Sequence, residues 1–223
     1  MRQGACARGR YRLADSGGRQ EQGKKYRIEG REERALALTP ADVLRAEHDM
    51  IRRVIAILGR ESERIGKGRG VDVVFIDRVV DFITTYAGRV HHGKEEEVLF
   101  RELDSEPLSP EHRQMMEALA RDHVEMRHLA EDLMEARDRY VGGDEEALRT
   151  VEHTVGLLSN LYPDHFEMEE ETFFPAAQSY LDEPEEEAIL EAMRGHDRAM
   201  IHEKYGSVVD DLEAVAETWQ LSE

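Results

Sequence analysis

Cysteine is almost missing from this sequence, with Cys6 the only one in 223 residues. That excludes a disulfide framework and a thiolate metal site, and it fits a reducing compartment such as the cytoplasm. Proline is sparse, at six residues, and aromatic side chains make up only 6% of the chain. With Glu, Arg, Ala and Leu abundant, this balance favours helix over sheet. Long apolar runs are lacking too: none approaches the roughly 20 residues of a membrane-spanning helix, so no membrane partner is expected. Positive charge is scarce beyond the first 38 residues. Those hold ten Lys/Arg against five Asp/Glu, a balance of +5, so with −19 for the whole chain the other 185 residues carry −24. Such an acidic body repels nucleic acid phosphates and anionic lipid, and no nucleic acid partner is expected. The basic, Gly- and Arg-rich segment 1–38 reads as a disordered extension without the apolar stretch of a secretory signal.

What the chain does have is helical periodicity with clear punctuation. Thr39-Pro40 gives a cap and a first-turn proline, followed by apolar positions Val43, Leu44, Ile51, Val54, Ile55 and Leu58 at helical spacing. Gly66, Gly68 and Gly70 end that helix. A second helix is expected from about Asp72 to Leu103, closed by Pro107. Ser109-Pro110 starts a third, which Gly142-Gly143 stops. A fourth, capped by Asp144, is expected to run to about Tyr180 with kinks at Pro163 and Pro175. Four long helices with short loops predict an all-α, up-down-up-down four-helix bundle over 39–181. A further helical segment, 182–223, is expected to pack on it.

Within the bundle, His-x-x-x-Glu-Glu-x-x-Phe occurs twice, from His92 to Phe100 and from His165 to Phe173. A histidine and a glutamate four residues apart form a ledge on one helix face, and two facing ledges can hold two cations. His48 and His123, 75 residues apart, add one histidine on the first helix of each half. On the second helix, His91 with Glu95 competes with His92 and Glu96. The line from His92 through Glu96, Leu99 and Leu103 is the more apolar, and Phe100 pairs with Phe173 only if His92 pairs with His165. The register therefore selects His92 and Glu96, giving a six-residue set: His48, His92, Glu96, His123, His165 and Glu169. Imidazole with carboxylate and no thiolate suits non-haem iron or manganese, with zinc as an alternative.

These residues, together with Glu47-His48-Asp49, Asp122-His123 and Phe173-Phe-Pro175, resemble the hemerythrin-like HHE cation-binding family over about 39–181. The resemblance implies a four-helix bundle around two non-haem iron ions bridged by oxo or hydroxo. Oxygen-carrying hemerythrins place His-x-x-x-His on the third ligand-bearing helix, whereas here Arg127 stands four after His123, and His128 is turned about 140° off the ligand face. The expected set thus lacks a fifth histidine and is similar to the di-iron domain of repair-of-iron-centres proteins, without their amino-terminal cysteine domain. Ferritin-like oxidases are disfavoured, because none of Arg45, Arg89, Ala120 and Tyr162, three residues before the histidines, is acidic.

An open position on each iron implies binding or sensing of oxygen, nitric oxide or peroxide. The alternatives are an enzyme that reduces peroxide or nitric oxide, or repairs oxidative or nitrosative damage, with an external reductant, and a store or donor of iron. Tyr162 is expected to pack near the centre, with hydrogen bonding to it or weak ligation as the alternative. His196 and His202 are candidates to reach the bundle mouth. His112, His128 and His153 are expected at surface or packing positions.

Overall fold

In the computed structural model the described residues are 38–197 and 200–220, so the readings made for residues 1–37 lie outside them. Among the described residues there are helices and no strands. We number them α1 (Pro40–Gly66), α2 (73–104), α3 (Pro110–Val141), α4 (147–177), α5 (Glu183–Arg194) and α6 (Ile201–Gln220). The punctuation acts as the sequence predicts. Thr39 Oγ1 accepts from the Asp42 N–H while Asp42 accepts from the Thr39 N–H, with Pro40 in the first turn; such a cap contributes about 1 kcal/mol. Ser109 caps α3 in the same way through the His112 N–H. Gly68 (φ 79°) and Gly143 (φ 95°) take the left-handed conformation just past α1 and α3, which glycine adopts without a Cβ clash.

α2 and α4 are not uniform α-helices. α2 holds i→i+5 hydrogen-bonded stretches at Phe82–His91 and Glu95–Phe100, and α4 holds one at Glu169–Phe173. Such turns contain more than 3.6 residues and change which positions share a face.

Two apolar clusters lie on either side of a polar layer. One contains Ile51, Ile83, Tyr86, Met126, Tyr162 and Phe166; the other contains Leu44, Val98, Leu99, Leu119, Phe173 and Phe174. Along α1 the order is Leu44, His48, Ile51; along α2 it is Tyr86, His92, Leu99; along α3, Leu119, His123, Met126; along α4, Tyr162, Glu169, Phe173. The direction alternates helix by helix, which is the up-down-up-down bundle. Each fully buried Leu, Ile or Phe contributes about 1.5–3 kcal/mol.

α6 extends the first cluster with Tyr205, Val209, Leu212 and Ala216. It is held to α1 by Arg53, which donates to Glu213 and Asp210 at 2.7–2.9 Å, and to α2 by Tyr205 donating to Asp81 at 3.0 Å. α5 adds Ile189 and Met193 to the second cluster. No described helix is long and apolar enough to cross a membrane.

Candidate metal centre

The polar layer contains His48, His91, His92, Glu95, His123, His165 and Glu169, all buried. They fall into two groups with potential ligand atoms within 4.8 Å of one another: His92, Glu95, His123 and His165, and His48, His91, Glu95 and Glu169. Glu95 belongs to both. One of its oxygens lies 3.6 Å from His91 Nε2 and the other 3.3 Å from His123 Nε2. Glu169 spans the layer in the same manner, 3.2 Å from His48 Nε2 and 3.2 Å from His165 Nε2.

Four of the five histidines are fixed from behind. Nδ1 of His48 lies 2.7 Å from Glu170, Nδ1 of His91 3.1 Å from Glu47, Nδ1 of His123 2.8 Å from Glu96, and Nδ1 of His165 3.3 Å from Asp122. An ionised carboxylate only accepts, so each Nδ1 donates and each neutral ring turns an Nε2 lone pair inward. Those lone pairs face one another at 3.0 Å for His48 and His91 and 3.1 Å for His123 and His165. Two such lone pairs cannot form a hydrogen bond; without a metal one ring of a pair carries the inward proton, and opposite His123 that ring is His165, whose protonated form Glu169 and Asp122 favour. The carboxylate oxygens of Glu95 and Glu169 and both ring nitrogens of His92 also lack hydrogen-bond partners among the described residues. Buried polar atoms left this way cost about 1–3 kcal/mol each, and a cation in each group would take up the acceptors that face it. The residues fit a metal.

The electrostatics agree. Burial lowers the pKa of His92 and His123, keeping them neutral donors. Burial and the adjacent Glu169 charge raise that of Glu95, while Glu169 is held well below its ordinary value because His165 and His48 outweigh its burial. Burial opposes protonation of His165, but Glu169 and Asp122 raise it to about 10. Without a cation the layer thus keeps protons that a metal would displace.

The expected set is corrected in one place and enlarged in another. His48, His92, His123, His165 and Glu169 come together, but Glu96 does not join them: it is partly exposed, accepting from His123 and from Arg127 at 2.9 Å. Glu95 takes the central place, and His91 joins the layer from the second helix, while the position four after His123 is Arg127 and supplies no histidine. The repeat explains both. His91, Glu95 and Glu96 match His165, Glu169 and Glu170 at an offset of 74 residues, not 73. Glu47 and Asp122, each preceding the histidine of a first helix, then support His91 and His165, while Glu96 and Glu170 support His123 and His48. The signal for these four supports lies in the acid-His pairs Glu47-His48 and Asp122-His123 and the Glu-Glu pairs at 95–96 and 169–170. His92 stands outside the repeat. Its counterpart is Phe166, and the two rings do matching jobs: His92 stacks on His123 at 4.0 Å, and Phe166 on His48 at 4.0 Å.

Behind Glu47 is a feature the sequence reading missed altogether. Lys94 is fully buried, donating to Glu47 and, at 2.5 Å, to Asp197. His202 lies 2.9 Å from Asp197 and 3.0 Å from the Tyr86 hydroxyl, so it sits outside the central layer, linked to His91 only through Glu47 at 3.8 Å. His196 approaches exposed Glu97, at 3.8 Å, and does not enter the layer. His112 bonds the Tyr180 hydroxyl at 2.8 Å, and His128 and His153 are exposed. Tyr162 is buried with its ring 6.3 Å from that of His92.

Compared with known families, the chain matches the hemerythrin HHE cation-binding domain over residues 39–153 and again over 117–223. It belongs to that family, and binding of a metal cation is the property the family and the His/Glu groups share. The overlap, 117–153, is read both as the later part of one domain and as the start of another, as a chain of repeated helical hairpins allows. Neither the comparison with curated proteins nor that with solved structures gave a match.

Proposed function

We propose that this is a non-haem di-iron protein whose centre binds a small molecule such as oxygen, nitric oxide or peroxide. The observation that supports it best is the arrangement of four Nε2 lone pairs, each aimed by a carboxylate on Nδ1, around two glutamates that each span both groups. In this reading His92, His123 and His165 serve one iron, His48 and His91 the other, and Glu95 and Glu169 bridge them. Manganese or zinc could occupy the same donors. Iron, when bound, supplies redox chemistry and Lewis-acid positions for small lone-pair donors.

The chain's own part is to hold buried, oriented donors in a polar layer between two apolar clusters. With two bridging glutamates the three-histidine half has five protein donors and the two-histidine half four. The latter leaves more room for an added ligand. A chain with one cysteine suits a reducing cytoplasm, where an external reductant can keep iron ferrous. The test is metal analysis of protein purified under reducing conditions, followed by optical spectra with oxygen, nitric oxide and peroxide. Two irons per chain and stable adducts are expected. Iron below half an equivalent would refute the reading, and steady consumption of peroxide or nitric oxide with a reductant would favour the enzymatic alternative.

A further inference from the structure

The two halves of the bundle each carry a recess beside the polar layer, and they differ at one decisive position. One recess, between α1 and α4, is lined by Arg52, Ala56, Ser159, Tyr162 and Phe166, so its side nearest the layer presents the phenyl ring stacked on His48. The other, between α2 and α3, is lined by Thr84, Gly88, Arg89, Arg127, Tyr162 and His92. The repeat relates them: Arg127 matches Arg52 at an offset of 75, and His92 matches Phe166 at 74. Only the second ends on an imidazole of the centre.

His92 also differs from the other four histidines in how it is held. They are each tied through Nδ1 to a carboxylate, at 2.7–3.3 Å. Neither nitrogen of His92 has a partner among the described residues, and the buried Tyr162 hydroxyl next to it has none either. Loss of such a carboxylate support typically weakens metal affinity 10–100-fold. His92 is therefore the most weakly fixed donor of the set.

Resting on the di-iron reading, we propose that His92 is a displaceable ligand and that the α2–α3 recess is a second ligand site, entered when His92 leaves the metal. The recess, about 220 Å³, holds the volume of roughly seven waters at ~30 Å³ each. It suits a ligand of two to four non-hydrogen atoms that donates a lone pair to the metal and accepts a hydrogen bond from the Tyr162 hydroxyl. Arg89 and Arg127 against Glu131 leave the lining net positive, which favours a small anion.

The test compares iron-loaded wild type with His92→Ala, the carboxylate-supported control His123→Ala, and Thr84→Trp at the exposed rim. Iron per chain is measured, and azide binding is followed by stopped-flow absorbance in two phases, a fast one at the open two-histidine half and a slower one that waits on His92, and it is the slower one that the variants change. His92→Ala is expected to keep two irons and bind azide at least tenfold faster, whereas His123→Ala falls below one iron. Thr84→Trp is expected to slow azide association at least fivefold with two irons retained, and Ala56→Trp in the other recess to leave it unchanged. If His92→Ala loses iron as His123→Ala does, or Thr84→Trp leaves the rate unmoved, the proposal is overturned while the di-iron reading stands. Wild type that binds no iron would overturn both.

Discussion

Replacing Glu95 with leucine should move metal binding and stability in opposite directions. Glu95 is the carboxylate common to both groups of potential ligands and is fully buried, with neither oxygen hydrogen-bonded among the described residues. In metal-free protein it faces Glu169, and burial with that charge raises its pKa. Leucine of similar size removes an unsatisfied buried polar group, a gain of about 1–3 kcal/mol, and replacing buried charge by apolar volume is often stabilising on this scale. For a domain of 150–250 residues that corresponds to a rise in melting temperature of roughly 2–12 °C. The same change deprives both halves of a donor. Thermal unfolding in chelator, followed by circular dichroism, should show Glu95→Leu above wild type, while iron analysis after reconstitution should show less than one iron per chain. Glu96→Gln is the contrast: it keeps two irons but weakens their retention against chelator about 10–100-fold, because it removes only the support of His123. A metal-free Glu95→Leu that melts below wild type would refute the stability argument. If Glu96→Gln instead abolished binding while Glu95→Leu retained two irons, the corrected register itself would be wrong.

Lys94→Met should be costly, because it leaves Glu47 and Asp197 without their buried ammonium; breaking such a pair costs about 3–5 kcal/mol, read by urea unfolding, and Lys94→Met with Glu47→Leu should recover part of it. Glu47 supplies a pH signature: burial opposes its ionisation, but the His91 hydrogen bond and Lys94 outweigh that and hold its pKa below the ordinary 4.5. The stability it contributes is thus fully present above about pH 4.5 and is lost as pH falls through the folded value, so Glu47→Gln should flatten the acid limb of metal-free stability. A limb unchanged by that substitution would count against the network. Thr39→Ala should cost about 1 kcal/mol in chemical denaturation through loss of the α1 cap, with iron content unaffected.

The course of the helices was legible because proline, glycine and capping residues mark their ends and 3.6-residue periodicity marks their inner faces. Thr39-Pro40, Ser109-Pro110 and Gly142-Gly143 were each read correctly for that reason. Five of the six proposed site residues lie in the central layer because one histidine per helix, with Glu at a fixed offset, is a strong pattern. Glu96 failed because a 3.6-residue projection treats His91 and His92 as rivals, whereas neighbours on a helix can turn toward different partners. His91 faces α1 and His92 faces α3, and the i→i+5 turns around them shift the register further. Lys94 was illegible: nothing local says that a lysine between two histidines and three glutamates is buried, since its partners Glu47, on α1, and Asp197, in the connection between α5 and α6, are far away in sequence.

The division of donors among helices also bears on how the protein acquires its cation during synthesis. The first group takes His92 and Glu95 from α2, His123 from α3 and His165 from α4; the second takes His48 from α1, His91 and Glu95 from α2, and Glu169 from α4. Neither hairpin by itself offers four donors to one ion. A ribosome-bound chain that has released only α1 to α3 holds three of the four donors of each group, and each set is complete only once α4 emerges and docks. A full four-donor set would thus mark a completed bundle, and a chain cut short before α4 would lack the donor that closes each group.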